Sequence, residues 1–315
     1  MKRYETHLIP EILQDSYVRE RFSDAILSCG KKVADYEGLL FDPFNRQKEY
    51  LKRSLENLAE SCEGEKSLYR QWPLKKENEK VRLITTPNEE LDNLLRTFVL
   101  PLIKTQRVHS SCHGGEKGYD PLRSLSKHVP MGSALSFDLK KAHERIPIYL
   151  TYPVLVRALG RDEPDEDVDL LYTLCTIDYK DKEGLPVGSP VSNALFSRAL
   201  YSIDEILTQK SKERELRYSR WVDDFIISSH QSRSSRPFLG AIDLVRFDLD
   251  ISPSKTFFQR IIKGNMNSYI YLLGHKIRGK RIAKNSKEER DLYKGEPINF
   301  EDLSKLDYDS WNENF

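Results

Sequence analysis

Apolar residues recur at helical spacing through the first part of the chain. The pattern extends over residues 11–62, as at Leu55 and Leu58, and is interrupted at Asp42-Pro43. Apolar positions three and four residues apart lie on one face of a helix, and a proline marks a helix boundary. The pattern therefore predicts a helical N-terminal extension over residues 1–65.

A different pattern, made of short runs of β-forming residues, begins after this extension. Two such runs, residues 69–74 and 81–86, flank the polar segment 76–79, and the second run stops at Pro87. This arrangement predicts a β-hairpin followed by a helix over residues 89–98.

Glycine and proline punctuate the middle of the chain. Residues 112–118 contain three glycines, and residues 183–190 contain two glycines and two prolines. Each segment is predicted to be a loop, and the second one leads into a helix over about residues 191–207. Backbone N–H groups of a glycine-rich segment that opens a helix can approach a phosphate group.

Three aspartates stand at the ends of strand-like runs and carry the candidate chemistry. Asp223 and Asp224 are adjacent and lie between runs of β-forming residues, and Asp138 closes a short apolar run of its own. Adjacent ionised carboxylates repel each other, so they indicate a site for a divalent cation. Each aspartate alone could instead cap a turn or lie at a hairpin tip. The three together predict a polymerase site with two Mg²⁺ ions.

The composition narrows the class of protein without identifying a partner. The 315 residues are 38% hydrophobic and 31% charged, which suits a globular protein of one large domain or two to three subdomains. The net charge is only +1, so any nucleic-acid-binding surface must be local. No apolar run approaches the length of a membrane span, and the N-terminus lacks a signal-peptide core, so we expect a cytoplasmic protein without membrane contact. The cysteines are scattered, which predicts reduced packing residues rather than zinc ligands, at Cys29, Cys62, Cys112 and Cys175.

The order of these features resembles that of the reverse transcriptases, specifically the compact bacterial enzymes related to retron, group II intron and phage-defence enzymes. The resemblance runs from about residue 69 to residue 277, roughly two thirds of the chain. The segments that carry it, in the order of the family, are the fingers hairpin 69–87, the basic glycine loop 113–118, the first palm motif 137–146, the loop-helix motif 184–193, Trp221-Val222-Asp223-Asp224 in the place of Tyr-x-Asp-Asp, the lysine motif 249–256 and the primer grip 271–275.

Some positions depart from the family pattern. Trp221 replaces the usual tyrosine, Val187 replaces a common glutamine, and Ser197 stands where many relatives have asparagine. His143 occupies the aromatic position that lies beside the nucleotide sugar. The Val-Thr-Gly segment of retron enzymes is absent, and Leu273-Gly274-His275 stands in its place. These departures favour a defence-associated or unclassified bacterial reverse transcriptase over a retron enzyme.

The resemblance implies an α+β fold of the right-hand polymerase type, with a ferredoxin-like palm sheet that carries the three aspartates at one edge. It places the fingers at residues 66–130, the palm at residues 131–277 and a short C-terminal segment, a partial thumb or a tail, at residues 278–315. A reduced or absent thumb would hold primer-template weakly. We therefore expect synthesis to stop after few additions unless RNA, another subunit or self-association completes the grip.

The resemblance also implies roles for individual residues. Asp138 and Asp223 would bridge the two metal ions, with Asp224 in support and Leu139 as a further metal contact. Lys255 would protonate the leaving pyrophosphate or pair with a phosphate; an ordinary surface lysine is the alternative. The remaining implied residues bind the nucleotide (Lys76, Arg82, Lys117, His143, Pro186, Val187 and Gly188) or grip the primer (Tyr271, Leu272, Leu273 and Gly274).

The implied activity is RNA-directed DNA polymerisation, in which dNTPs are added to a 3′-OH with two Mg²⁺ ions, or Mn²⁺ in their place, in a role in antiviral defence. The implied partners are an RNA template, a DNA or RNA primer and dNTPs, with a non-coding RNA and a second subunit or self-association as further candidates. The alternatives are a non-catalytic nucleic-acid-binding scaffold of the same fold, an RNA polymerase and a template-independent nucleotidyltransferase. The intact set of three aspartates argues against the scaffold.

Overall fold

The structure is a computed structural model, and it is described in two compact units. The first unit contains residues 1–107 and 143–199, and the second contains residues 108–142 and 200–315. Within them, the residues described are 9–37, 44–61, 67–75, 81–115, 120–179, 182–233, 238, 240–242, 245, 249–265, 268–285 and 296–298.

The helices form where apolar residues recur at three- and four-residue spacing. Within the described ranges, no helix is both long and apolar enough to span a membrane. In chain order the α-helices are α1 (Ile9–Gln14), α2 (Ser16–Glu37), α3 (Phe44–Ser61), α4 (Glu89–Leu94), α5 (Leu100–Lys104), α6 (Pro121–Ser126), α7 (Ile148–Ala158), α8 (Glu166–Cys175), α9 (Ser192–Ala199) and α10 (Tyr201–Glu213).

The strands are short, and the longest have seven residues. In chain order they are β1 (Tyr69–Lys75), β2 (Val81–Pro87), β3 (Ser133–Asp138), β4 (Ile177–Tyr179), β5 (Lys182–Gly184), β6 (Arg217–Trp221), β7 (Asp224–Ser229), β8 (Phe257–Arg260), β9 (Ile270–Leu272), β10 (His275–Arg278), β11 (Arg281–Lys284) and β12 (Glu296–Pro297).

The described part of the first unit consists of helices and two antiparallel strand pairs, β1-β2 and β4-β5. β1 and β2 pair antiparallel in the predicted hairpin, with Tyr69 opposite Pro87 and Lys75 opposite Val81. The loop before α9 joins this hairpin, because the Thr85 amide donates a hydrogen bond to the Val187 carbonyl at 2.8 Å. The hairpin and the glycine-proline loop of the first unit therefore form one connected structure.

The second unit is built on an antiparallel sheet in the order β12-β8-β3-β7-β6. Its main elements follow one another as β3, α10, β6, β7, a helical stretch that includes residues 240–242, and β8. Of these, the strands β8, β3, β7 and β6 are adjacent in the sheet, and they are the fourth, first, third and second of the four in chain order. This is the split β-α-β arrangement of ferredoxin-like folds. The predicted α+β class and ferredoxin-like palm are confirmed.

A smaller sheet in the same unit has the strand order β11-β10-β9. Side chains alternate between the two faces of a sheet, and one face of this sheet is apolar. On that face, Ile270, Leu272 and Ile277 are buried in a cluster with Met131 and Ile226. This sheet therefore packs on the strands that carry the candidate site.

Other predicted elements differ from the structure in extent. The helix predicted over residues 191–207 is two helices, α9 and α10, with a break at Leu200. The helix predicted over residues 89–98 continues through a π-helical turn, Leu95–Val99, into α5. Most of the predicted thumb or tail lies outside the described residues, and the predicted domain limits stay a prediction.

Candidate active site

Two neighbouring strands bring two of the predicted aspartates together. β3 and β7 pair so that Asp138 lies directly opposite Asp224 and Phe137 lies directly opposite Phe225. Successive side chains point to opposite faces of a sheet, so the two phenylalanines lie on the other face, where their rings stack at 4.7 Å between centroids. This buried aromatic pair fixes the register that places the two carboxylates side by side.

The third aspartate lies in the turn that joins β6 to β7. Trp221 pairs with Asp224, so Val222 and Asp223 form a two-residue turn. Val222 has a φ of 56°, a left-handed conformation that two-residue hairpin turns usually assign to glycine, asparagine or aspartate. The amide of Leu139 donates a hydrogen bond to the Asp223 carbonyl at 3.3 Å. The turn is therefore tied to the end of β3.

The three carboxylates form one cluster. One oxygen from each of Asp138, Asp223 and Asp224 lies within 4.8 Å of the others. Asp138 is buried and Asp223 is half-buried. Like charges placed directly opposite on neighbouring strands are destabilising. Three carboxylates and no nitrogen or sulfur atom make a donor set that suits Mg²⁺ or Mn²⁺.

Burial and crowding raise the pKa of two of these carboxylates. Burial raises the pKa of Asp138, and the neighbouring charge of Asp223 adds to this while Lys255 opposes it. Burial, followed by the charges of Asp223 and Asp138, raises the pKa of Asp224 to about 7. Both shifts mean that the cluster, without a cation, resists carrying its full negative charge.

Lys255 is next to the cluster. It ends a short 3₁₀ turn, Pro253–Lys255, which is anchored because the Ser252 amide donates to the Asp138 carbonyl at 2.8 Å. The Nζ atom of Lys255 donates a hydrogen bond to Oδ2 of Asp138. Burial lowers the pKa of Lys255, but its hydrogen bond and the three aspartate charges outweigh this and raise the pKa overall. The ammonium group therefore stays charged beside the carboxylates.

The residues predicted to bind the nucleotide belong mostly to the first unit. Arg82 is exposed on β2, opposite Leu74. Nε2 of His143 lies 2.9 Å from Oδ1 of Asn193, and its ring stacks on Phe196. The loop residues Pro186, Val187 and Gly188 lie beside the hairpin through the contact of Thr85 with Val187. Lys76 and Lys117 fall outside the described residues. The nucleotide-binding roles of all these residues stay predictions.

The predicted primer grip lies in the small sheet of the second unit. Tyr271 and Leu272 are in β9, and Leu273-Gly274 form the turn to β10, both with positive φ. Gln259 fixes this strand, since its side chain accepts from the Tyr271 amide at 2.7 Å and donates to the Tyr271 carbonyl at 2.9 Å. The segment is therefore held at both polar groups of Tyr271.

A buried polar group behind the site was not predicted from the sequence. Arg220 is fully buried and forms an ion pair with Asp204 of α10. The sequence does contain a signal, because an arginine in the run of β-forming residues before the aspartate pair needs a partner for its charge if that strand is buried. Which carboxylate provides that partner depends on how α10 packs on β6, and the sequence alone does not give this packing.

No protein-family model matches the chain. The chain is 24% identical over 181 residues to the retron Mx162 reverse transcriptase of Myxococcus xanthus, and the match covers 54% of the chain and 37% of that protein. It is 26% identical over 170 residues to the retron Ec83 reverse transcriptase of Escherichia coli, covering 52% of the chain and 53% of that protein. The chain thus spans about a third to a half of the length of these curated relatives.

Among solved structures, the chain is similar to apo telomerase from Candida tropicalis truncated from its C-terminal domain. The identity is 12%, the TM-score is 0.46, and the similarity covers 69% of this chain and 54% of that chain. The fold class follows instead from the strand order of the second unit.

Both curated relatives are retron enzymes, although the absence of Val-Thr-Gly at positions 273–275 favoured other bacterial branches. The choice between the retron branch and the defence-associated or unclassified ones stays a prediction. The comparison confirms the predicted resemblance: over about half of its length, this chain is similar to bacterial retron reverse transcriptases.

Proposed function

We propose that this chain is an RNA-directed DNA polymerase that adds dNTPs to the 3′-OH of a primer. The observation that carries the proposal is the cluster of Asp138, Asp223 and Asp224, whose carboxylate oxygens lie within 4.8 Å of one another at the end of a ferredoxin-like sheet. The relationship to retron reverse transcriptases supports the same reaction. An intact carboxylate cluster is not required of a scaffold that only binds nucleic acid.

The proposed roles follow from the donor set and the geometry. Asp138 and Asp223 would hold two divalent cations between them, and Asp224 would provide a further carboxylate oxygen. When bound, two Mg²⁺ ions would favour deprotonation of the primer 3′-oxygen and neutralise the leaving pyrophosphate. Lys255 would supply a proton or a positive charge to that leaving group, since its ammonium group lies beside Asp138 and stays charged.

The carboxylate variants test this proposal directly. Asp138→Asn and Asp223→Asn keep nearly the same shape but remove a negative charge from the metal site. We expect extension of a primed RNA template with dNTPs and Mg²⁺ to fall below a tenth of the wild-type rate, a loss of at least about 1.4 kcal/mol. Asp224→Asn should reduce the rate less.

The matched control is Asp162→Asn, because Asp162 is exposed in a loop of the first unit. It should extend the primer at the wild-type rate, and thermal unfolding should show that all variants fold. Extension by Asp223→Asn above a tenth of the wild-type rate, or extension by the wild type in excess EDTA, would contradict the proposal. Extension with NTPs but not dNTPs would identify an RNA polymerase instead.

The partners and the biological role are part of the proposal. An RNA template, a primer and dNTPs are what the reaction requires, and a bound non-coding RNA, a second subunit or self-association would complete the grip on the primer. Sequencing the nucleic acid that co-purifies with the chain would identify the RNA. A role in antiviral defence predicts that bacteria expressing the wild type, but not Asp223→Asn, form fewer phage plaques.

A further inference from the structure

A buried ion pair lies behind the turn that carries Asp223. The side chains of Arg220 and Asp204 are both 0% exposed. The guanidinium donates from Nη2 to Oδ2 of Asp204 at 2.6 Å and from Nε to Oδ1 at 2.8 Å. The Tyr218 hydroxyl donates to the same Oδ1 at 2.6 Å. The carboxylate is thus bound by a two-pronged guanidinium and a hydroxyl, which fixes the plane of the guanidinium.

The same guanidinium reaches the turn itself. Its Nη1 atom donates a hydrogen bond to the carbonyl of Val222 at 2.6 Å. Val222 is β-branched and has a φ of 56°, so its backbone conformation is strained and needs support from its surroundings. The Val222 carbonyl belongs to the peptide that leads into Asp223. The orientation of that peptide sets the position of the Asp223 Cα atom, from which the carboxylate side chain extends.

The backbone of Arg220 is held as well. Its amide donates to the Ser111 carbonyl at 2.8 Å, and its carbonyl accepts from the His113 amide at 2.8 Å. Its guanidinium also lies 5.9 Å from the centre of the ring of Phe225, its partner on β7. Arg220 therefore has little freedom to move, and its contact with Val222 is fixed.

We propose that Arg220 is a positioning residue for the metal site, oriented by Asp204, and that it sets the place of the Asp223 carboxylate through the Val222 carbonyl. A buried ion pair typically adds little net stability relative to apolar residues of the same volume, so stability alone does not account for one here. The need for a rigid, charged donor that supports a strained turn does account for the pair. The inference deepens the proposed function and rests on it for the identity of the reaction, but its direct consequence is metal affinity.

The test compares two variants of the full chain by titrating Mn²⁺ and following binding by electron paramagnetic resonance. Arg220→Lys keeps a positive charge for Asp204, but one ammonium nitrogen replaces the three separate nitrogens that contact Asp204 and the Val222 carbonyl. The double variant Arg220→Met with Asp204→Leu removes both charges at similar volume. We expect each variant to fold and its Kd for Mn²⁺ to rise at least tenfold. The Mg²⁺ concentration for half-maximal primer extension should rise in parallel.

The matched control is Arg217→Lys. Arg217 is on the same strand, but its guanidinium donates to the Val129 carbonyl at 2.8 Å, away from the turn. Its Kd for Mn²⁺ should stay within twofold of the wild type. If the double variant folds and binds Mn²⁺ like the wild type, or if both Arg220 variants fail to fold, the pair serves stability and the proposal is overturned.

The two proposals fail in different ways. A wild type that binds Mn²⁺ but extends no primer would refute the proposed function, while weakened Mn²⁺ binding in Arg220→Lys would still support the positioning role. A wild type that extends primers together with an Arg220→Lys variant of unchanged Mn²⁺ affinity would refute the positioning role alone.

Discussion

Lys255 donates a hydrogen bond from Nζ to Oδ2 of Asp138, so the carboxylate predicted to bind metal already has a cationic partner. The lysine side chain is 64% exposed, whereas that of Asp138 is 6% exposed. The ammonium can therefore leave toward solvent when a divalent cation binds to the aspartate. If a divalent cation binds that oxygen, it must displace Lys255, so removing the lysine should affect metal binding and the reaction differently.

Lys255→Met should slow primer extension without weakening metal binding. Loss of a proton donor to the leaving group should reduce the rate at saturating Mg²⁺ by a factor of about 100 or more. Loss of the competing charge should leave the Kd for Mn²⁺ unchanged or lower it by up to about fivefold, as for a largely exposed ion pair. Single-turnover extension and Mn²⁺ titration measure the two effects. Lys263→Met, at an exposed residue of the same unit, is the control. A rate within threefold of the wild type would indicate that Lys255 is an ordinary surface lysine.

The metal-free protein should lose stability as the pH rises, through Asp224. Its pKa of about 7 in the folded chain is well above the value near 3.9 of an unfolded aspartate. Between about pH 4 and 7 the folded chain therefore binds a proton that the unfolded chain has released. The stability from this group is present at low pH and is lost as the pH rises toward 7.

Urea unfolding in EDTA between pH 5 and 8 checks this expectation. As the pH rises, the unfolding free energy of the wild type should fall relative to that of Asp224→Asn, because the asparagine does not titrate. Mn²⁺ should reverse the trend, since it binds the ionised carboxylate. Parallel pH profiles for the two proteins would show that Asp224 ionises in its ordinary range.

Much of the site was predictable because its residues are adjacent in sequence or end their strands. Asp223 and Asp224 are neighbours, and Asp138 closes an apolar run, so a sheet that pairs these segments brings the carboxylates together. The hairpin β1–β2 was predictable for the same reason, since the polar segment 76–79 of the sequence separates two β-forming runs. Local patterns of this kind need no knowledge of the packing of distant elements.

The parts that were missed depend on contacts between elements that are separated in the chain. The division of the helix over residues 191–207 at Leu200 has no marker in the sequence, because neither glycine nor proline stands at the break. The pairing of Arg220 with Asp204 requires α10 to pack against β6. The close approach of Gly114 to Val222 joins a loop to a turn more than 100 residues later. None of these contacts leaves a periodic pattern in the sequence.

Gly114→Ala should displace the turn that carries Asp223. A Cβ atom at this position would lie 2.5 Å from the Val222 amide nitrogen and 2.6 Å from its Cγ2 atom, so the backbone must move. We expect primer extension and Mn²⁺ affinity each to fall at least tenfold. The free energy of unfolding should fall by about 1–3 kcal/mol, as in other overpacked sites.

The control for this prediction is Gly30→Ala. Gly30 lies in α2, and an added Cβ would have no atom within 4 Å. That variant should keep wild-type extension and gain up to about 1 kcal/mol of stability from its helix propensity. Equal Mn²⁺ affinity in Gly114→Ala and the wild type would show that the turn tolerates the shift.

His143 should set the preference for the nucleotide sugar if it lies, as the resemblance implies, against C2′ of the incoming nucleotide. In the first unit its ring stacks on Phe196, with centroids 4.7 Å apart, and its Nε2 lies 2.9 Å from Oδ1 of Asn193. An imidazole is smaller than a phenyl ring and can hydrogen-bond a hydroxyl group, so it should exclude a 2′-OH less strictly. Residues 141–145 form a turn, so the alternative is that His143 only begins the turn before Pro147.

Steady-state extension with matched dNTP and NTP substrates separates these two roles. His143→Gly should raise the use of NTPs relative to dNTPs at least tenfold, which corresponds to about 1.4 kcal/mol, and His143→Phe should lower it. Asn193→Ala removes a polar contact of the imidazole and should shift the preference in the same direction as His143→Gly, by a smaller factor. His230→Gly, at an exposed histidine of the second unit, should have no effect. A dNTP/NTP preference that stays within twofold of the wild type in both His143 variants would place the selection of the sugar at another residue.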